Sequence, residues 1–283
     1  IGGGTTDLMV TTYYCDRKDV IYPIQEFREG FRIAGDDILY GLIKEAILPG
    51  IATHLSSQGA NNAEMAVANF FQAVDDTQTN LKANFANSIL VPSAIKILEN
   101  FENQENTLVK IKISDPSKYN EKVFESSLEK MAISAGLTEW PKKDISITIS
   151  QQQFKTVIDN VLSKISTNIA TALHNYTCDY VLLTGRPSKL AYVRELFEEK
   201  SILGAHRLIS LHDYPVGSWY PFREPLSGRI GDPKSTVVVG ALLNSVSSFE
   251  LTNYSFKSEE LNLKSTSNFI GEMETSGQIR QSK

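Results

Sequence analysis

The first seven residues, Ile1-Gly2-Gly3-Gly4-Thr5-Thr6-Asp7, have the types and spacing that phosphate chemistry uses. Glycines let a backbone approach a phosphate closely and turn several N–H donors toward it. The Thr5 and Thr6 hydroxyls can donate to phosphate oxygens, and the Asp7 carboxylate can orient Mg²⁺ or its waters. A hard cation between a carboxylate and phosphates is the usual arrangement for nucleotides. Taken alone, the same run also reads as a flexible leader. The sequence opens on Ile1 rather than Met, so it reads as a cut chain.

The other reactive residue types form no comparable cluster. His54, His174, His206 and His212 lack metal-ligand spacing. Cys15 and Cys178 cannot build a disulfide framework, which points to a reducing compartment. His212-Asp213 stands near Trp219-Tyr220, either lining a pocket or sitting in a surface loop, and no Gly-x-Ser-x-Gly elbow is present. Trp219-Tyr220-Pro221-Phe222 reads as a loop plugged into a core, or else as a partner anchor or adenine platform. Lys142-Lys143 is a short surface pair.

Charge narrows the partners. With 28 Lys+Arg against 33 Asp+Glu, the net charge is −5, and no basic block exists to grip duplex nucleic acid or an anionic membrane. The longest apolar run, Val237–Leu243, is far shorter than the ~20 residues of a membrane span. No signal peptide is visible.

Strands and helices must position the phosphate-type run. Leu8 to Tyr14 alternates, Cys15-Asp16-Arg17-Lys18-Asp19 is a polar turn, and Val20-Ile21-Tyr22 returns as a hairpin. Phe31-Arg32-Ile33 is a short third strand, and Asp36 caps a helix whose apolar face runs from Ile38 to Ile47. Two helical patterns follow over residues 61–102, the second broken or kinked before Pro92. Leu108–Ile113 is a half-buried strand, and a helix over 120–135 ends at Gly136. The strand through Ile145, Ile147 and Ile149 runs into a Ser150/Gln153 capping box that opens the longest helix. A strand at Tyr180–Leu183, a glycine turn, a helix from Lys189 to Lys200, a strand at Leu208–Leu211 and a last helix over Lys234–Ser245 complete the α/β pattern. After Phe249 the composition shifts to Ser, Thr and Glu, with alternations at Tyr254/Phe256 and Leu261/Leu263.

In this context the glycine run resembles the second phosphate motif of the actin, sugar-kinase and heat-shock-chaperone superfamily, Asp-x-Gly-Gly-Gly-Thr-x-Asp opening a hairpin. Ala34-Gly35-Asp36-Asp37 resembles that superfamily's glycine-acid step, and Leu183-Thr184-Gly185-Arg186-Pro187-Ser188-Lys189 resembles its adenosine motif. Asp232-Pro233-Lys234-Ser235 through Val239-Gly240-Ala241-Leu242 resembles its closing helix. Within the superfamily, the Leu183–Ser188 run, Gly217-Ser218-Trp219-Tyr220-Pro221-Phe222 and Gly228-Arg229-Ile230 are similar to the SrfB virulence-factor family of Gram-negative bacteria.

The resemblance implies the second half of an actin-like (ribonuclease H-like) ATPase fold. Residues 1–34 and 145–248 would form the ATPase core subdomain, residues 35–144 an inserted, mostly helical subdomain, and residues 249–283 a polar tail or edge segment. Gly2, Gly3, Gly4, Thr5 and Thr6 would hold phosphates, and Asp7 would be the catalytic residue that orients the metal. Thr184, Gly185, Arg186 and Lys189 would line the nucleoside. Thr184-Gly185 stands where the superfamily has a Gly-Gly pair, and Lys189 stands where chaperones place an Arg against adenine, with Arg186 as an alternative stacker. The implied cofactors are ATP and Mg²⁺, clamped between this half and an N-terminal half of the same protein. The half alone is expected to hydrolyse nothing and to bind nucleotide weakly. The competing expectation is a non-catalytic scaffold or effector that acts through an unknown protein partner. The implied location is the bacterial cytoplasm, or a secreted effector.

Overall fold

The computed structural model describes residues 1–16, 20–72, 76–102, 106–113, 121–138, 145–200, 204–247, 255–256, 271–273 and 279–281. Arg17, Lys18 and Asp19 of the expected turn, the Lys142-Lys143 pair and the Leu261/Leu263 alternation lie outside the described residues. The fold is mixed α/β. It divides into one unit of Ile1–Leu8 and Glu29–Val239 and a second of Met9–Arg28 and Gly240–Lys283.

The glycine run leads directly into β1 (Thr6–Cys15), whose sheet neighbour is β2 (Val20–Phe31). The Asp16 carboxylate tightens the connection by accepting from the Val20 N–H at 3.0 Å and the Tyr22 hydroxyl at 3.1 Å. The expected third strand at Phe31 does not exist as a separate element. β2 simply continues to Phe31 through a polar stretch, Gln25 to Glu29, whose irregular alternation hides the strand from pattern reading.

Two long helices share one device. α1 (Gly35–Leu42) passes through a π turn, residues 43–47, into α2 (Leu48–Ser57). After α3 (Ala63–Gln72), α4 (Asp76–Phe85) passes through another π turn, residues 86–90, into α5 (Val91–Glu102). In each case the N–H after the π turn reaches back five residues, Leu48 to the Ile43 carbonyl and Val91 to the Ala86 carbonyl. A proline follows at once, Pro49 or Pro92. Proline lacks an N–H and its ring collides with the carbonyl four residues back, so a widened turn there lets the helix run on instead of breaking. The break or kink expected before Pro92 is therefore a π turn inside a continuous helix. The first helix likewise extends ten residues past Ile47 to Ser57.

The continuous helix Gly35–Ser57 is long and apolar enough, at mean hydropathy 1.2, to meet the length and composition of a membrane span. Its face of Ile38, Leu42, Ile47, Ile51 and Leu55 is fully buried in the core of the first unit.

β3 (Leu108–Lys112), α6 (Glu121–Ser134) and β4 (Ser146–Ser150) follow. β3 and β4 pair antiparallel, with Val109 opposite Ile149 and Ile111 opposite Ile147 on the buried face. Ser150 caps α7 (Gln151–His174), its hydroxyl accepting from the Gln153 N–H at 3.2 Å while the Gln153 side chain accepts from the Ser150 N–H at 2.9 Å. α7 is the central strut. Phe154 stacks on Phe101 of α5 with centroids 4.3 Å apart, and meets Tyr192 edge-on at 5.7 Å. Gly41 of α1 faces Val157 and Val161 of α7, and a Cβ there would lie only 2.9 and 3.1 Å from their methyls, so the absence of a side chain sets how closely the helices approach.

β5 (Val181–Leu183), a 3₁₀ turn at Arg186–Lys189, α8 (Ala191–Lys200) and β6 (Leu208–Ser210) form a β-turn-α-β crossover with β5 and β6 parallel. α9 (Ser235–Ser247) follows a loop in which Tyr220 is buried against Ile230 and Val239, while Trp219 is 61% and Phe222 is 49% exposed. The aromatic loop thus splits between a core plug and exposed rings. In the second unit, β7 (Ser255–Phe256) runs parallel to β2, and β8 (Gly271–Met273) pairs antiparallel with β9 (Ile279–Gln281).

Candidate functional site

The glycine run is held by backbone contacts from two other motifs. The Gly2 N–H donates to the Thr5 carbonyl at 2.8 Å, closing a tight loop. Gly2 and Gly3 then accept from the N–H groups of Gly35 and Asp36, at 3.0 and 2.8 Å, at the first turn of α1. Ile1 N donates to the Thr184 carbonyl at 2.8 Å, and the Ile1 carbonyl lies where a Cβ on Gly185 would stand. Gly185 has φ +88°, a left-handed conformation that favours glycine. The three sequence motifs therefore meet, and a pocket of about 200 Å³ opens where they do.

That pocket has a mixed lining: apolar Ile38, Leu39, Ile95, Leu98, Pro187 and Leu190, charged Asp36, Glu102, Arg186 and Lys234, and the backbone of Gly2, Gly3 and Gly35. Among the residues expected at a nucleotide site, it gathers Gly2, Gly3 and Arg186. Gly4, Thr5, Thr6, Asp7, Thr184, Gly185 and Lys189 do not line it.

Several expected groups already have partners. The Thr6 side chain is buried, and its hydroxyl donates to the Ile33 carbonyl at 2.7 Å, tying the start of β1 to the residue before α1's N-cap. The Thr184 hydroxyl bonds the Pro233 carbonyl and the Thr236 hydroxyl, both at 3.1 Å. Arg186 donates to Glu99 at 3.0 Å and to Glu102 at 3.2 Å, and the hydrogen bond to Glu99 raises its pKa further above its already high ordinary value. By contrast, the N–H groups of Gly3 and Gly4 make no hydrogen bond among the described residues, and both glycines are exposed. Asp7 is exposed, with the Thr5 hydroxyl 3.4 Å away.

The helix cap differs from expectation. Ala34 is the N-cap of α1, and the Asp37 carboxylate accepts from the Ala34 N–H at 2.8 Å. Asp36 is released from capping and instead stands beside the glycine run, its carboxylate 3.4 Å from where a Gly3 Cβ would be. Asp36 and Lys234 are pocket residues whose only sequence signal is membership of the glycine-acid and Asp-Pro-Lys runs. Glu99 and Glu102 carry no local signal at all.

Phosphate with a divalent cation fits one wall of this site. Two N–H donors without partners among the described residues sit beside the exposed Asp36 carboxylate, and a negative group so close to a phosphate calls for a cation between them. A side chain on Gly2 would press within 2.9 Å of the Thr5 carbonyl, so the loop depends on glycine at that position. The nucleoside wall fits less well, because Thr184, Gly185 and Arg186 are committed to contacts within the chain. Among the described residues no cluster of three or more His, Cys, Asp or Glu could hold a metal by itself.

No curated protein matches the chain. The family model described as virulence factor SrfB matches residues 1–283, so the chain belongs to the SrfB virulence-factor family.

Proposed function

We propose that the Gly2–Asp7 loop is the phosphate-binding wall of an ATP-Mg²⁺ site in an actin/chaperone-like fold, and that the complete protein uses it to couple nucleotide state to domain closure. The observation that carries this reading is the pair of exposed glycines, Gly3 and Gly4, whose N–H groups have no partner among the described residues and which have the Asp36 carboxylate beside them. In this reading Gly3 and Gly4 orient phosphate oxygens, and Asp7 and Asp36 orient the waters around the cation. The bound Mg²⁺ would neutralise phosphate charge, the main electrostatic demand of phosphoryl transfer. One wall leaves a site open to water, where its fields are screened, so tight binding and turnover belong to the two-walled complete protein. Titration of the complete protein with ATP, with and without Mg²⁺, is expected to give Mg²⁺-dependent binding that weakens in Asp7→Ala. Turnover and binding that survive unchanged in Asp7→Ala remove Asp7 from the site.

A second reading is favoured by a separate observation. Thr6, Thr184, Gly185 and Arg186 spend their polar groups or their space inside the chain. A scaffold that kept the fold and lost turnover would look the same, acting through protein contacts in which the exposed Trp219 and Phe222 take part. No ATP binding by the complete protein at millimolar nucleotide would select this reading.

A further inference from the structure

Arg186, from the 3₁₀ turn, and Glu102, from α5, both line the pocket. Arg186 Nη2 meets Glu99 Oε1 at 3.0 Å and its Nε meets Glu102 Oε1 at 3.2 Å. The two glutamates stand three residues apart on the last turn of α5, so they present one acidic face to a single guanidinium. α5 also supplies Ile95 and Leu98 to one side of the pocket, whereas Pro187 and Leu190 beside Arg186 supply another. The ion pairs tie together two of the elements that line the cavity. They also use the donor edge that a free arginine would turn toward a ligand.

We infer that Arg186, Glu99 and Glu102 form an electrostatic latch that closes the pocket against the nucleoside part of a ligand, so that Arg186 acts as a strut and not as a base-stacking residue. This rests on the phosphate-wall reading for the identity of the ligand, but the latch itself is read from the ion pairs. All three side chains are partly exposed, at 43%, 51% and 23%, so the latch is held weakly enough to open and is sensitive to salt. Opening it would free the guanidinium and widen the gap between α5 and the Arg186–Lys189 turn.

The test uses the complete chain and two variants that break the latch from opposite sides, Glu99→Gln/Glu102→Gln and Arg186→Gln. Hydrogen exchange of residues 95–102 reports the latch without any ligand. It is expected to accelerate in both variants, and in the parent at molar NaCl. Titration with Mg²⁺-ATP at fixed low salt then reports gating. Affinity is expected to rise by about threefold to tenfold in both variants, the range for loosening half-exposed ion pairs. If Arg186 were a stacking residue, Arg186→Gln would lower affinity while the double glutamate variant raised it, and that split overturns the proposal. Exchange that is unchanged in both variants also overturns it. Exchange that accelerates with no Mg²⁺-ATP binding by any form keeps the latch and overturns the nucleotide reading instead.

Discussion

The carbonyl oxygen of Ile1 fills the space that a side chain on Gly185 would occupy, and Gly185 itself sits at φ +88°. Gly136, after α6, also has a positive φ, +86°, but nothing within 4 Å of its missing Cβ. Gly136→Ala should lose about 1–2 kcal/mol from the left-handed conformation alone. Gly185→Ala should lose more, because φ +88° with ψ 164° is a region only glycine adopts readily, at about 1–3 kcal/mol, and the Ile1 carbonyl cannot rotate away as a side chain can. Urea unfolding of the two variants measures the difference, and equal losses would show that the docking of Ile1 contributes nothing to stability.

The close approach of α1 and α7 at Gly41 predicts a second asymmetry. Gly41→Ala gains helix propensity of about 1 kcal/mol. It also drives a methyl to 2.9 Å from Val157 and 3.1 Å from Val161, for an overpacking loss of roughly 1–3 kcal/mol. The net effect should be destabilising in the parent and turn stabilising once Val157→Ala makes room. A double-mutant cycle by thermal or denaturant unfolding reads this coupling directly, and additive effects would mean the helices simply separate.

His212 should make stability fall on mild acidification. Its ring is held between the Ser210 hydroxyl, 2.9 Å from Nδ1, and Asp213, 3.3 Å from Nε2. Burial lowers its pKa below the ordinary 6.5, Asp213 opposes that, and Lys189, Arg194 and Arg229 lower it further. The unfolded chain therefore binds this proton more readily than the folded one. Stability that is present above the ordinary pKa is lost as pH drops through 6.5 toward the folded value. Comparing urea midpoints at about pH 7 and about pH 5.5, the parent should lose more than His212→Gln. A steeper loss in the variant would reverse the sign and refute the assignment.

Ser150→Ala should remove the N-cap of α7 and lower stability by about 1 kcal/mol, because the Gln153 N–H loses its acceptor. Ser150→Asp should restore most of it by accepting the same bond and placing negative charge at the helix N-terminus. Denaturant melts of the three proteins give the order. The prediction fails if alanine is as stable as the parent.

Features governed by short-range patterns are legible in the amino-acid sequence. The Ser150/Gln153 box, the alternating Ile145, Ile147 and Ile149, and the apolar face of α7 each depend on neighbours within a turn or a strand. Pro92 signals a break because its effect on a straight helix is local, but a π turn that absorbs a proline has no sequence signature of its own. Asp36 has the residue type of an N-cap for α1, yet the cap is Ala34. Two adjacent aspartates can each serve the helix start, and in the fold the Asp37 carboxylate accepts from the Ala34 N–H while Asp36 lies beside the docked glycine run at Gly3.

Residue type and period are enough to establish that a glycine-rich, carboxylate-bearing loop opens onto a strand, and that two further glycine-containing turns follow at the ends of other elements. Both act over a few residues, so the linear chain carries them in full. Which polar groups remain free is settled by long-range packing. Thr6 is spent on Ile33, Thr184 on Pro233 and Thr236, and Arg186 on Glu99 and Glu102, separated by 27, 49, 52, 87 and 84 positions in the chain. The Gly3 and Gly4 N–H groups stay unpaired among the described residues. A hydroxyl or guanidinium has the same bonding capacity in every sequence, and what it binds depends on which distant segment the fold brings within about 3 Å.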